Sequence, residues 1–399
     1  MTTQRLPQRT VFIMGARGFN AKYGGWETFV TQLMAHWTDE QVQFIIPELC
    51  TTPPTEPEKR HGSIRLPQIY VRPIGGATMV VFAAKAFYAA LRTVQREGLQ
   101  NAVFYILGLR IGPVVLWKRS TLRRLGIRVL INPDGMEWQR AKWNAAVKRY
   151  FLWSEKTMYQ TSDHVVADNP AIERYVLAKY PQLNGKTSCI AYGATLPNDV
   201  LPFEQTGLLE RYPHLRPQEY YLIVGRFVPE NNYELILREY IASSTTKPLV
   251  IITNLEHNAF YAALQASTGF ESDPRILLVG PEYDPARLTA IRAHAFAYFH
   301  GHSAGGTNPS LLEALASTSV NLLFDVAFNR EVALDAALYF TADKGSLREV
   351  MRQAEAFSDE QRVAMAQAAK TRIRDAFTWE HIVAQYTELF ARFGSGGKL

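Results

Sequence analysis

Cysteine is nearly absent from this chain of 399 residues, with Cys50 and Cys189 the only two. That number excludes a disulfide framework and a cysteine-ligated zinc site, and it suits a reducing compartment. Long apolar runs are lacking too. No stretch reaches the ~18 uninterrupted apolar residues of a spanning helix. The nearest, 77–91 and 102–117, are broken by Lys85 and Arg110. The opening MTTQRLPQRT has no apolar core of the secretory kind. The expectation is a cytoplasmic protein, soluble or peripheral on the inner face of the plasma membrane. No Asp-x-Asp pair of the sort that holds a nucleotide's metal ion occurs, and there is no internal repeat or low-complexity segment.

What is present is charge, unevenly placed. Residues 1–200 carry 25 Lys and Arg against 14 Asp and Glu, a net +11, while residues 201–399 carry 18 against 23, a net −5. Such asymmetry points the N-terminal half at something anionic: nucleic acid, phosphorylated lipid or a membrane surface. With 47% hydrophobic and 20% charged residues the composition is globular, which rules out disorder.

Short, nearly continuous apolar runs alternate with longer helix-like stretches. Strands are expected at 10–14, 42–46, 69–71, 103–107, 129–131, 164–167 and 188–190. A second series is expected at 220–224, 249–252, 276–279, 297–299, 321–324 and 338–340. Runs of this kind belong to parallel strands covered on both faces. Two βαβ series in succession predict an α/β protein of two doubly wound domains with a cleft between them. The boundary is expected within 192–218, which is rich in Pro, Asn and Gly. Helical spacing of Ile382, Val383, Tyr386, Leu389 and Phe390 predicts a closing amphipathic helix, and 394–397 reads as a linker.

Chemistry-bearing segments follow several of these strands. Gly15-Ala16-Arg17-Gly18 leads through Lys22 to Gly24-Gly25-Trp26-Glu27, a glycine-bearing turn that lets backbone N–H groups approach an anion. Its spacing is neither a dinucleotide fingerprint nor a Walker A loop. Arg226 stands where the strand 220–224 ends, and a guanidinium suits bidentate contact with phosphate. After the strand 297–299 come small residues, then Asn308 as cap, Pro309 at the first helical position and a good helix. Free N–H groups at that helix start are expected to bind an anion. Glu313, on the second turn among Leu and Ala, can accept hydrogen bonds from vicinal sugar hydroxyls. His300 and His302 are expected on opposite faces of a strand end, with no partner cluster to make them a metal site. Asp134 and Glu137 follow the strand 129–131. Asp134 either orients an acceptor hydroxyl or caps the next helix, and Asp168 carries the same two readings. Basic and aromatic residues cluster at 118–124 and 140–153, a pattern that fits an anionic membrane interface or RNA.

The two phosphate-site segments and the final Trp379 helix together resemble the retaining, nucleotide-sugar-dependent enzymes of glycosyltransferase family 4. The resemblance implies the GT-B fold, two Rossmann-like domains facing each other across a cleft. The family usually carries two glutamates eight positions apart. Glu313 matches the second, which contacts the donor's ribose, and Gly305 stands at the first. An Arg and a Lys five apart usually hold the diphosphate. Arg226 matches, and Asn231 stands at the Lys position. Segments 15–18, 23–29, 134–138, 229–232 and 305–310 look more narrowly like the bacterial rhamnosyltransferases of capsule and rhamnan synthesis.

That resemblance implies dTDP-L-rhamnose as donor and a lipid-diphosphate-linked sugar as acceptor. It implies an acceptor-binding domain at 1–200, a nucleotide-sugar domain at 201–375 and a helix at 376–393 packing back on the first. The donor would be held by Arg226, Asn231, Gly305, Gly306, Thr307, Asn308, Ser310 and Glu313, with Gly18, Gly24 and Gly25 closing from the first domain. Asp134, Glu230 and Asp168 form the expected catalytic set. No metal or other cofactor is expected, and an anionic membrane rather than nucleic acid is the expected surface partner. Two alternatives stand beside this reading: the same fold with a UDP-hexose donor, and a non-catalytic protein binding anionic lipid or nucleic acid.

Overall fold

The apolar runs are the central strands of two sheets in the computed structural model, which describes residues 9–19, 24–133, 138 and 143–394. The chain divides into two units, Met1–Tyr192 together with Trp379–Leu399, and Gly193–Thr378.

In the first unit the strands are β1 (Arg9–Met14), β2 (Val42–Ile45), β3 (Glu48–Cys50), β4 (Glu58–His61), β5 (Ile64–Tyr70), β6 (Ala102–Leu107), β7 (Arg128–Asn132), β8 (His164–Ala167) and β9 (Thr187–Cys189). Their order is β3-β5-β2-β1-β6-β7-β8-β9, with β4 antiparallel on β5 and the other pairings parallel. The helices are α1 (Gly25–Ala35), α2 (Thr78–Glu97), α3 (Gly112–Arg124), α4 (Ala145–Thr161) and α5 (Pro170–Lys179). Strand alternation explains why the runs are apolar throughout. Phe104 and Ile106 of β6 enter a core built with α2, α3, α4 and α5. Tyr105, between them, faces the other way and meets Tyr386 and Phe390 of the last helix.

The strands β3 and β4 and the start of β5 escape the sequence reading. β4 is Glu-Lys-Arg-His, an exposed edge with no apolar signal. Arg65 secures it, its guanidinium bridging Glu58 at 2.8 Å and Glu97 of α2 at 2.7 Å.

The second unit holds β10 (Tyr221–Val224), β11 (Leu249–Ile252), β12 (Ile276–Leu278), β13 (Ala297–His300), β14 (Asn321–Phe324) and β15 (Leu338–Phe340), ordered β12-β11-β10-β13-β14-β15 and wholly parallel. Its helices are α6 (Leu208–Arg211), α7 (Tyr233–Ile241), α8 (Ala259–Thr268), α9 (Pro285–Ala293), α10 (Pro309–Ser317), α11 (Ala327–Ala333), α12 (Ser346–Glu355) and α13 (Asp359–Ala376). The chain then returns to the first unit as α14 (Trp379–Gly394). The expected apolar stripe of α14 is buried throughout. Gly394 is no linker residue. It closes α14, and a Cβ there would press within 2.6 Å of the Arg9 side chain.

In each sheet the chain crosses from one side of its first strand to the other. β1 has β2 on one side and β6 on the other, and β10 has β11 on one side and β13 on the other. Loops leaving the carboxyl ends of such strand pairs diverge and leave room for a ligand. The segments that carry chemistry in the sequence follow these strands.

Candidate functional site

In the second unit, the loops after β10 and β13 are bonded to each other. Asn232 donates its amide to the Gly301 carbonyl at 2.7 Å, and Ser303 donates both its N–H and its hydroxyl to the Glu230 carbonyl at 2.9 Å. Gly301 permits this approach, since a Cβ there would lie 2.1 Å from the Asn231 carbonyl oxygen. Arg226 is exposed above the junction, whereas Asn231 is buried beneath it and gives its amide to the Arg226 carbonyl at 2.7 Å. The side chain of Asn231 thus shapes the loop that presents Arg226. Glu230 is half-buried beside it.

The start of α10 is built differently from the sequence expectation. Asn308 takes the Ser310 N–H on its side chain at 2.9 Å and the Leu311 and Leu312 N–H groups on its carbonyl. The first-turn donors are therefore already used. What the start of α10 still offers is its helix dipole and the small-residue loop of Gly305, Gly306 and Thr307, where Gly305 holds φ at 131°. The Ser310 hydroxyl turns inward, 2.9 Å from the Tyr298 hydroxyl and 3.1 Å from the Val224 carbonyl.

Glu313 projects from the second turn of α10 and is held by Arg292 of α9 at 2.5 Å. The guanidinium is only 3% exposed, while the carboxylate is 40% exposed. The Glu313 side chain thus serves the fold through Arg292 and still reaches solvent. Removing the carboxylate strands a buried cation. Glu313→Ala is expected to lose about 2 kcal/mol in urea denaturation, discounted from the fully buried case because Glu313 is half open. Glu313→Gln keeps an acceptor for Arg292 and should retain most of that stability. Equal stability of all three proteins would remove Arg292 as the partner.

His300 and His302 lie together and not on opposite faces as expected, in keeping with the rule that residues two apart share a strand face. The strand ends at His300, the chain turns at Gly301, and the two imidazoles stack with centroids 4.2 Å apart and planes 11° from parallel. Burial, aided by the Arg226 charge, pushes His302 down to about 3, and burial lowers His300 as well. Both rings are neutral near pH 7. No group of three or more His, Cys, Asp or Glu side chains with metal-binding geometry occurs among the described residues.

In the first unit, the turn after β1 needs its glycine. Gly15 has φ 118°, and a Cβ would stand 2.1 Å from the Leu107 carbonyl of β6. The anion cradle expected here is occupied from within. Glu27, buried in the first turn of α1, takes the Arg17 N–H at 2.8 Å and folds against Gly24, whose φ of 138° makes room for it. The Glu48 side chain lies against Gly18. Two carboxylates flank this loop and repel an anion, although the Arg17 side chain is exposed. Gly25 opens α1 at the surface.

Asp134 and Glu137 lie outside the described residues, as does Lys22. Asp168 is 1% exposed after β8, and the cap of α5 is its neighbour Asn169, which accepts the Ala171 N–H at 2.8 Å. The charge of Asp168 helps raise the phenols of Tyr105 and Tyr386 after the larger effect of burial. Those phenols hydrogen-bond each other at 2.8 Å. Asp168 therefore sits in the packing of α14 on the sheet.

Residues 8–195 match a family model described as a domain of unknown function, DUF1972. No curated protein matches the sequence. Among solved structures, the sucrose-phosphate synthase of Thermosynechococcus elongatus has a TM-score of 0.77 at 16% identity, over 98% of this chain and 100% of that one. The α,α-trehalose-phosphate synthase (UDP-forming) of Burkholderia vietnamiensis has 0.68 at 13%, over 98% and 99%. Anabaena HepE in complex with UDP has 0.68 at 10%, over 96% and 99%. The chain has the GT-B fold.

Within this GT-B chain, the sequence reading missed a stack of Arg110 on Trp26 and a cage around Glu155 in the first unit. Arg110, which it read only as a break in an apolar run, lays its guanidinium 4.7 Å from the Trp26 ring centroid. Gly108 makes space for that indole, for a Cβ would approach it to 2.5 Å. Glu155 of α4, 2% exposed, gathers Lys179 Nζ at 2.6 Å, the Tyr180 hydroxyl at 2.9 Å and Trp138 Nε1 at 3.1 Å. Lys179 stands 5.3–5.5 Å from the ring centroids of Trp138, Tyr175 and Tyr180. Trp138 belongs to the Asp134–Trp138 segment, so this cage fixes one end of it.

Proposed function

We propose that this protein is a retaining glycosyltransferase that moves L-rhamnose from dTDP-L-rhamnose to a sugar on a lipid-diphosphate carrier, during cell-surface polysaccharide synthesis at the inner face of the plasma membrane. The observation that carries the reading is the junction of the β10 and β13 loops, one carrying exposed Arg226 and the other leading through a small-residue turn into α10. That arrangement suits the diphosphate of a nucleotide sugar.

As the bond between the anomeric carbon and the diphosphate oxygen breaks, negative charge grows on the leaving nucleotide. Arg226 and the Gly305–Thr307 backbone offset it without reorganising. The half-exposed Glu313 carboxylate accepts a hydrogen bond from a hydroxyl of the nucleotide's sugar. Glu230, beside Arg226, reaches the transferred sugar. Asp134 positions the acceptor hydroxyl, whose oxygen bonds to the anomeric carbon on the face the diphosphate leaves. The proton passes to the departing phosphate, so Asp134 need not be the base. Neutral His300 and His302 add no charge that would oppose transfer of the proton.

Melting the purified protein with dTDP-L-rhamnose and with UDP-glucose tests the donor, because a ligand that binds only the folded state raises the melting temperature. A rise with dTDP-L-rhamnose, followed by transfer to a lipid-diphosphate sugar, is expected. The UDP bound to HepE favours a second reading, a UDP-hexose donor. A rise with UDP-glucose alone would select it.

A further inference from the structure

Helices α3 and α4 form a fixed pair. A Cβ at Gly112 would lie 2.1 Å from the Ser154 carbonyl oxygen, so the two backbones nearly touch. The Gly112 N–H donates to the Ser154 hydroxyl at 2.9 Å, which donates to the Leu109 carbonyl at 2.5 Å. Tyr150 binds the Arg110 carbonyl at 2.7 Å. What the pair turns outward is unusual. Trp117 is 73% exposed and Trp153 is 54% exposed, with Leu116 and Leu152 also at the surface. Large aromatic residues are ordinarily well buried. A solvent-facing cluster of apolar side chains marks an interaction surface.

The exposed charge on the two helices has one sign. Arg119, Arg123 and Arg124 on α3 and Arg149 and Lys156 on α4 are exposed. The single carboxylate on either helix is Glu155, which is buried and paired with Lys179. Lys118 rests its ammonium 4.2 Å from the Trp117 ring centroid. The apolar face of α2, by contrast, is turned to the sheet through Phe82, Ala86, Phe87 and Leu91. α2 is long and apolar enough by composition to cross a membrane, and its core residues are turned to the sheet.

We infer that the outer face of α3 and α4 docks on an anionic lipid bilayer, with Trp117 and Trp153 entering the headgroup region and the arginines pairing with lipid phosphates. Indole rings beside long cationic stems match the amphipathic depth profile of a bilayer interface, and basic residues are attracted by its negative potential. The exposed Leu116 and Leu152 suit acyl chains and would gain nothing from an RNA backbone. The inference deepens the lipid-linked acceptor reading, on which it rests for its purpose, but it can fail separately.

The test is flotation of the full chain with vesicles of phosphatidylglycerol and phosphatidylcholine, against phosphatidylcholine alone. The wild-type protein should float with the anionic vesicles only. Trp117→Ser with Trp153→Ser should lower the vesicle partition coefficient at least about tenfold, the loss of roughly 1.4 kcal/mol. Arg119→Glu with Arg149→Glu should lower it further at low salt. All these side chains are exposed, so circular dichroism melts should match the wild type, and so should the donor-induced rise in melting temperature. Equal flotation of wild type and both variants overturns the docking surface. So does failure of the wild type to float, or displacement from vesicles by single-stranded RNA. If the wild type floats but no nucleotide sugar raises its melting temperature, the docking surface stands and the glycosyltransferase reading falls.

Discussion

Replacing Arg226 by alanine is expected to slow glycosyl transfer about 10²- to 10³-fold and leave the melting temperature unchanged. The magnitude is that of deleting one preorganised donor aimed at developing charge. The selectivity follows from where Arg226 sits. Its side chain is exposed, while the loop's shape is kept by Asn231, which grips the Arg226 carbonyl and not its guanidinium. Alanine preserves that hydrogen bond. Arg226→Lys keeps the charge but loses the planar fork, so it should recover only part of the rate. Asn231→Ala provides the contrast: it removes the support of the loop and should lower stability and transfer together. The assay compares kcat and KM for the nucleotide sugar with thermal melts of each variant. A rate within threefold of wild type for Arg226→Ala would take Arg226 out of the diphosphate site.

The largest loss of stability is expected from Glu155→Ala, at about 3 kcal/mol. Glu155 is a buried carboxylate with three close donors, Lys179, Tyr180 and Trp138. Charge-assisted hydrogen bonds in a low-dielectric site are strong, and deleting the shared acceptor leaves every donor to find another. Lys179 is partly exposed and can turn to water, which keeps the loss below that of a wholly buried pair. Glu155→Gln preserves shape and one acceptor and should cost about half as much. Urea denaturation measures both. Because Trp138 is one of the donors, Glu155→Ala should also raise KM for the acceptor several-fold with little change for the donor. A stability change under about 0.5 kcal/mol would show that the cage holds nothing together.

Much of the site's location was legible because strand position is encoded locally. A run such as Tyr221–Val224, or the first three residues of Ala297–His300, is apolar at every residue, since both faces of its sheet are covered, and the candidate loops follow directly from where such runs stop. Arg226 and Asn308 could be named from their place after those strands. The roles of their neighbours could not. Asn231 and Ser310 read as ligand contacts in the sequence, yet their side chains are turned to Arg226, Tyr298 and Val224.

The sequence by itself determined two parallel βαβ series, a final amphipathic helix, and the strand ends from which the candidate loops spring. These follow from residue periodicity and cap chemistry, which act over a few positions. Only the tertiary structure decided which charges meet. It paired Glu313 with Arg292, folded Glu27 into its own glycine loop, and stacked His302 on His300. It also set Trp117 and Trp153 on the outer face of a helix pair whose one carboxylate is turned inward. A buried charge takes whichever partner the packing brings within hydrogen-bonding distance, and that choice is made by chain segments whose spacing in sequence carries no signal.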